Sequence, residues 1–176
     1  MPKAIDVAKY IVYLASGVYE DITNMKVNKL LYYAQGHFLK RTGRALFNDR
    51  LEAWDHGPVC VEVYDLYKKF GDSPITDVDD SVPERLTEEE QDTILDVVRE
   101  YGRYNASTLR RMTHIPNGPW ADVYVAGRTH TLIPVELIKR FFDKKVEAIN
   151  PVEIEYDEDD FIGYRDADGN IVLPKE

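Results

Sequence analysis

Between Asn24 and Gly43 the chain reads NMKVNKLLYYAQGHFLKRTG, and Val27, Leu30, Leu31, Ala34 and Phe38 recur with the period of a helix. An apolar stripe of that length on one helical face has to be buried against something. This segment therefore organises whatever the chain folds into. Thr23 or Asn24 can cap its start with a side-chain oxygen, and Gly43 suits its end.

The same period continues on both sides. Ile5, Ala8, Ile11, Val12 and Ala15, widened by Val7 and Leu14, form a first helix that stops before Gly17. Pro58 suits the first turn of a third helix, where its missing N–H would be unpaired anyway. Val59, Val63, Leu66, Tyr67 and Phe70 make that helix's stripe, and Gly71 ends it. Thr87 with Glu90 is a capping-box pair ahead of Ile94, Leu95, Val98 and Tyr101. A shorter helix spans Ala106 to His114, and Pro134 opens the last, PVELIKRFFDKK.

Two stretches break the pattern. Residues 45–57 have no helical period, and Leu46, Phe47, Leu51, Ala53 and Trp54 read as short extended pieces. Near the C-terminus, FIGYR and NIVL flank DADG as a hairpin would. The expected fold class is mainly α: a compact helical domain of about six helices with short extended segments, plus a small C-terminal β-hairpin. Residues 1–145 are expected to form the helical domain, and 146–176 an acidic linker and hairpin appendage.

Charge is distributed unevenly. The chain carries a net charge of −10. From Val146 to Glu176 ten acidic residues face only Arg165 and Lys175, a balance of −8 that leaves −2 for the rest. Such a field repels nucleic acid and attracts basic partners over a Debye length of ~8–10 Å. Lys26, Lys29, Lys40, Arg41, Arg44 and Arg50 form a basic stretch that can pair with the acidic tail or loop instead of DNA. No apolar run approaches the roughly 18 residues that span a bilayer, and the N-terminus lacks a signal-peptide pattern. The single cysteine, Cys60, excludes an internal disulfide framework and fits a reducing cytoplasm.

Chemistry is sparse. WDHGPV, Trp54 to Val59, looks like the start of an active site, with His114 or Glu62 as conceivable partners for Asp55-His56. Neighbours on an extended strand point to opposite faces, however, so Asp55 and His56 cannot pair by adjacency. No Gly-x-Ser-x-Gly elbow, Walker loop or His-Glu-x-x-His occurs. His37, His56, Cys60 and His114 lack zinc-ligand spacing. In DADGN, Asp166, Asp168 and Asn170 alternate, but Ile171 stands where a calcium loop needs glycine. Neither a metal nor another cofactor is expected. Twelve tyrosines, among them Tyr32, Tyr33, Tyr64 and Tyr67, suit a half-buried core and an interface equally.

Taken together, these residues resemble the Panacea (SocA-like) antitoxin domain of bacteria and prophages. Its helix motif K-L-L-Y-Y-A-Q-G matches Lys29 to Gly36. Its F-x-x-x-x-E-A-W-x-x-G-P-V segment matches Phe47 to Val59, and V-Y-x-x-x-x-x-x-G matches Val63 to Gly71. Leu109, Thr113, His114, Pro119 and Trp120 fit a further motif. Val27-Asn28 departs from the Leu-Gln more usual there. The resemblance covers roughly residues 5–145 and leaves the acidic tail aside.

It implies binding, not catalysis: neutralisation of a cognate toxin by direct contact, or, in one branch, delivery of a toxin to a ClpXP-type cytoplasmic protease. The candidate partner-binding residues are Asp55, His56, Tyr64, Arg111, His114 and Trp120. Glu155, Asp157, Glu158, Asp159 and Asp160 join them for a basic toxin surface. An enzyme using His56 or His114 and a DNA-binding autoregulator are the rival readings.

Overall fold

The computed structural model describes residues 1–128 and 130–144, with the backbone alone of Tyr164–Arg165 and Ile171–Val172. The hairpin expected at the C-terminus, as a unit, and the acidic linker before it lie outside the described residues. Residues 1–128 and 130–144 form six α-helices, two short 3-10 helices and one two-stranded antiparallel sheet.

Helix α2, Asn24–Thr42, runs through the middle of the body. It packs against α1 (Ala4–Ala15), α3 (Val61–Tyr67), α4 (Glu88–Tyr101), α5 (Ala106–Thr113) and α6 (Val135–Asp143). Its ends follow the sequence rules. The Thr23 side chain accepts from the Lys26 amide, and Gly43 closes the last turn with φ +74°. Val27, Leu30, Leu31, Ala34 and Phe38 are all buried. Burying each of the larger side chains contributes about 1.5–3 kcal/mol. On α4 the capping box forms as expected, Thr87 accepting from the Glu90 amide while Glu90 accepts from the Thr87 amide.

Close packing around α2 depends on a glycine. A Cβ on Gly36 would come within 2.2 Å of the Phe142 ring of α6. Its absence lets that ring sit edge-on to Tyr32, Tyr33 and His37. Of the tyrosines left open by the sequence, Tyr32, Tyr33 and Tyr67 are core, whereas Tyr64 is 37% exposed.

The extended pieces become β1, Leu51–Trp54, and β2, Gly57–Cys60. This corrects the expectation for Pro58: it lies in a strand, and α3 begins only at Val61. The hydrogen-bond pattern explains why proline is tolerated. Ala53, which faces Pro58, donates its amide to Thr131 on the other side, and Leu51 accepts there from Ile133. In an antiparallel ladder such outward-turned residues face partners that also turn outward. Pro58 therefore occupies a position where β1 asks for no donor, on an edge strand.

The outer edge of β2 is covered by α2. Asn28 accepts from the Cys60 amide at 3.0 Å, and Lys29 Nζ donates to the Pro58 carbonyl at 3.0 Å. Gln35 treats the preceding loop in the same way, accepting from the Leu46 and Phe47 amides and donating to the Phe47 carbonyl. The polar residues of the helix motif thus stand in for a missing third strand. Of the other basic residues, Arg41 pairs with Asp96 and Arg44 with Glu89, both on α4.

Candidate functional site

Asp55 and His56 form the turn between the two strands, which settles why they are adjacent. Both have negative φ, so the positive φ needed to close the hairpin falls on Gly57, at +101°. A side chain there would be strained and would also meet Thr113 and Lys29, whose atoms lie within 3 Å of a Cβ.

Behind the turn stands an aromatic support. The Trp120 indole N–H donates to the Trp54 carbonyl at 2.8 Å, and the His114 ring packs on Trp120 with centroids 3.7 Å apart. Tyr124 stacks on Trp120, and its hydroxyl donates to Asp55 Oδ1 at 2.9 Å. His114 lies between two backbone carbonyls, with Nδ1 2.6 Å from Arg110 O and Nε2 3.2 Å from Asp55 O. Burial lowers its pKa, so the neutral ring is favoured. A neutral imidazole has one N–H and donates to only one of the two carbonyls; its packing on Trp120 ties it to the support behind the turn.

In front of the turn is a cavity of about 630 Å³. Its lining includes Asp55, His56 and Tyr64 of the candidate set, and also Trp54, Asn24, Met25, Asn28, Lys29, Lys68, Arg128 and His130. The Trp54 and Tyr64 rings meet edge to face at 4.9 Å to form an aromatic wall. Trp54 is held in this wall by Glu52, which accepts its indole N–H at 2.8 Å. His130 has φ +59°, uncommon for a residue with a Cβ, and also reaches Glu52.

The structure thus divides the candidate residues. Asp55, His56 and Tyr64 share the cavity, while His114 and Trp120 buttress it from behind. Arg111 is absent from its lining and bonds to Ser107 and Thr108 of its own helix. Glu155, Asp157, Glu158, Asp159 and Asp160 lie outside the described residues. Glu62 accepts from the Cys60 thiol at 3.2 Å, and burial pushes that thiol up to about 12, so it stays protonated. Lys29 belonged to the helix motif but carried no functional signal in sequence. Only the crossing of α2 and β2 reveals it as a fully buried cation, with its pKa held down to about 7 by burial and by Arg110. Among the described residues, no three or more His, Cys, Asp or Glu side chains are grouped to hold a metal ion. None of the described helices is long and apolar enough to cross a membrane.

The family of SocA-like antitoxins with a Panacea domain matches residues 27–121. Antitoxin SocA of Caulobacter vibrioides (strain NA1000 / CB15N) is 32% identical over 139 residues, which cover 72% of this chain and 73% of that protein. The chain belongs to the SocA-like Panacea family. No solved structure matches it. The matched residues include the hairpin, the cavity wall up to Tyr64 and the His114–Trp120 support.

Proposed function

We propose that this chain is an antitoxin that neutralises a cognate toxin by direct protein–protein contact, without catalysis of its own, in the cytoplasm. Residues 1–145 serve as the binding body, and 146–176 as an acidic appendage that engages basic toxin surface. The observation that carries this reading is the family membership together with what the motif residues build. They form a braced hairpin that presents Trp54 and His56, and a following helix α3 that presents Tyr64, at one open cavity. Amphipathic aromatics on a rigid support are what protein interfaces use as anchors.

Co-expression with the toxin encoded beside it tests the reading. Growth should recover, and the two proteins should co-purify. Rescue with toxin levels that fall only in cells holding a ClpXP-type protease would establish delivery for degradation as the mode of action. Absence of rescue would contradict the antitoxin reading.

A further inference from the structure

Two buried lysines sit three residues apart on α2 and are treated differently. Lys26 Nζ is paired with the Asp21 carboxylate, donates to the Gly102 carbonyl at 2.7 Å and lies over the Tyr19 ring. Lys29, equally inaccessible, donates to the Pro58 carbonyl and makes no ion pair among the described residues. An ammonium has three N–H donors, and a buried charge without a counter-ion is unfavourable. Lys29 borders the cavity.

The rest of the cavity is suited to a ligand. Its volume falls within the usual range for small-molecule sites, ~300–1,000 Å³. Trp54 and Tyr64 offer an apolar wall. The side chains of His56 and Arg128, at the mouth, make no hydrogen bond among the described residues. Charges already present limit the choice of anion. Asp55 and Asp72 also border the cavity, and Lys68 is engaged with Asp65. Lys29 and Arg128 together offset Asp55 and Asp72, so one added negative charge unbalances the cavity less than the two of a dianion.

We propose that this cavity binds a carboxylate carried on an aromatic or apolar stem. The carboxylate lies on the α2 side of the cavity, near enough to Lys29 to feel its charge, and the stem packs on Trp54 and Tyr64. The proposal rests on the geometry of the cavity and stands whether or not a toxin docks on this face. Two sources offer such a group, an acidic residue of the bound toxin and a free organic acid.

The probes are phenylpropionate, its neutral analogue phenylpropanol and the dianion benzylphosphonate, titrated into the isotope-labelled full chain by NMR. Phenylpropionate should shift the Trp54 indole signal saturably, with a Kd roughly tenfold or more below those of the other two. It should also raise the titration midpoint of the Lys29 side chain by about one pH unit, the linked equivalent of tenfold. Lys29→Met should abolish the preference and keep phenylpropanol binding. Should that variant fail to fold, the Lys29 midpoint in the unaltered chain decides alone. Equal Kd values, or a midpoint that phenylpropionate does not move, would overturn the proposal.

The titration is repeated on the toxin complex. Exclusion of the probe by toxin assigns the carboxylate to the partner. Undiminished binding assigns it to a free acid and places the toxin contact elsewhere, leaving the cavity site intact.

Discussion

The Trp120 indole donates its N–H to the carbonyl of Trp54, 66 residues earlier, at 2.8 Å. This bond fastens the segment after α5 to the hairpin turn, and the stacked Tyr124 ring and tilted His114 ring extend it into a support. Trp120→Phe preserves the ring and removes the donor, leaving a carbonyl unmatched. It should cost about 1–2 kcal/mol, or roughly 2–8 °C in Tm for a chain of this size. Denaturant titration against the unaltered chain checks the first figure, and calorimetry the second.

Lys29 makes stability depend on pH in an unusual direction. Its folded pKa, about 7, lies below its unfolded value. Between the two the unfolded chain binds more protons, so stability rises with pH. The penalty is complete below pH ~7 and lifts as pH increases. Between pH ~7 and ~8.5 the gain should approach ~2 kcal/mol. Above that window the Cys60 thiol and buried tyrosines, whose folded pKa values are raised, act in the opposite sense. Urea unfolding at both ends of the window should show the rise, and Lys29→Met should flatten it.

Gly36→Ala sets two effects against each other. Alanine favours a helix by about 1 kcal/mol over glycine, but its Cβ would meet the Phe142 ring at 2.2 Å. Overpacking of this kind costs typically ~1–3 kcal/mol, so the substitution should destabilise. A double-mutant cycle with Phe142→Ala should return a coupling of about 1 kcal/mol or more. Additive effects would mean that the contact is not what glycine protects.

Much of the frame could be read from the sequence. The α2 stripe, the Thr87 capping box and the Gly43 stop depend on residues within one or two turns of each other, so local rules suffice. Pro58 misled because a proline before an apolar period looks the same at a helix entrance and on a strand edge. The difference lies in the distant amides and carbonyls of residues 131–133, which decide which way Ala53 points. Read as strand neighbours, Asp55 and His56 would point to opposite faces, whereas they form the turn between β1 and β2. Lys29 was invisible as a buried cation because its isolation is a property of three dimensions: Lys26, three residues away, pairs with Asp21, and Lys29 makes no ion pair among the described residues.

The acidic segment can be tested apart from the cavity. Replacing Glu153, Glu155, Asp157, Glu158, Asp159 and Asp160 by Ser and Asn should slow association with toxin and flatten its dependence on salt, leaving dissociation little changed. Stopped-flow association at low and physiological ionic strength measures this. Identical rates and unaltered growth rescue would remove the segment from the interface.

The central claim is direct neutralisation through the cavity face, and the affinity of the purified chain for its toxin tests it. His56 is exposed and makes no hydrogen bond among the described residues, and the Tyr64 side chain is partly exposed. The double substitution His56→Ala with Tyr64→Ala should therefore leave the fold intact. Calorimetric titration should give saturable binding for the unaltered chain and a Kd raised roughly tenfold or more by the double substitution. An unchanged Kd in a folded double variant, or growth rescue without any measurable binding, would contradict it.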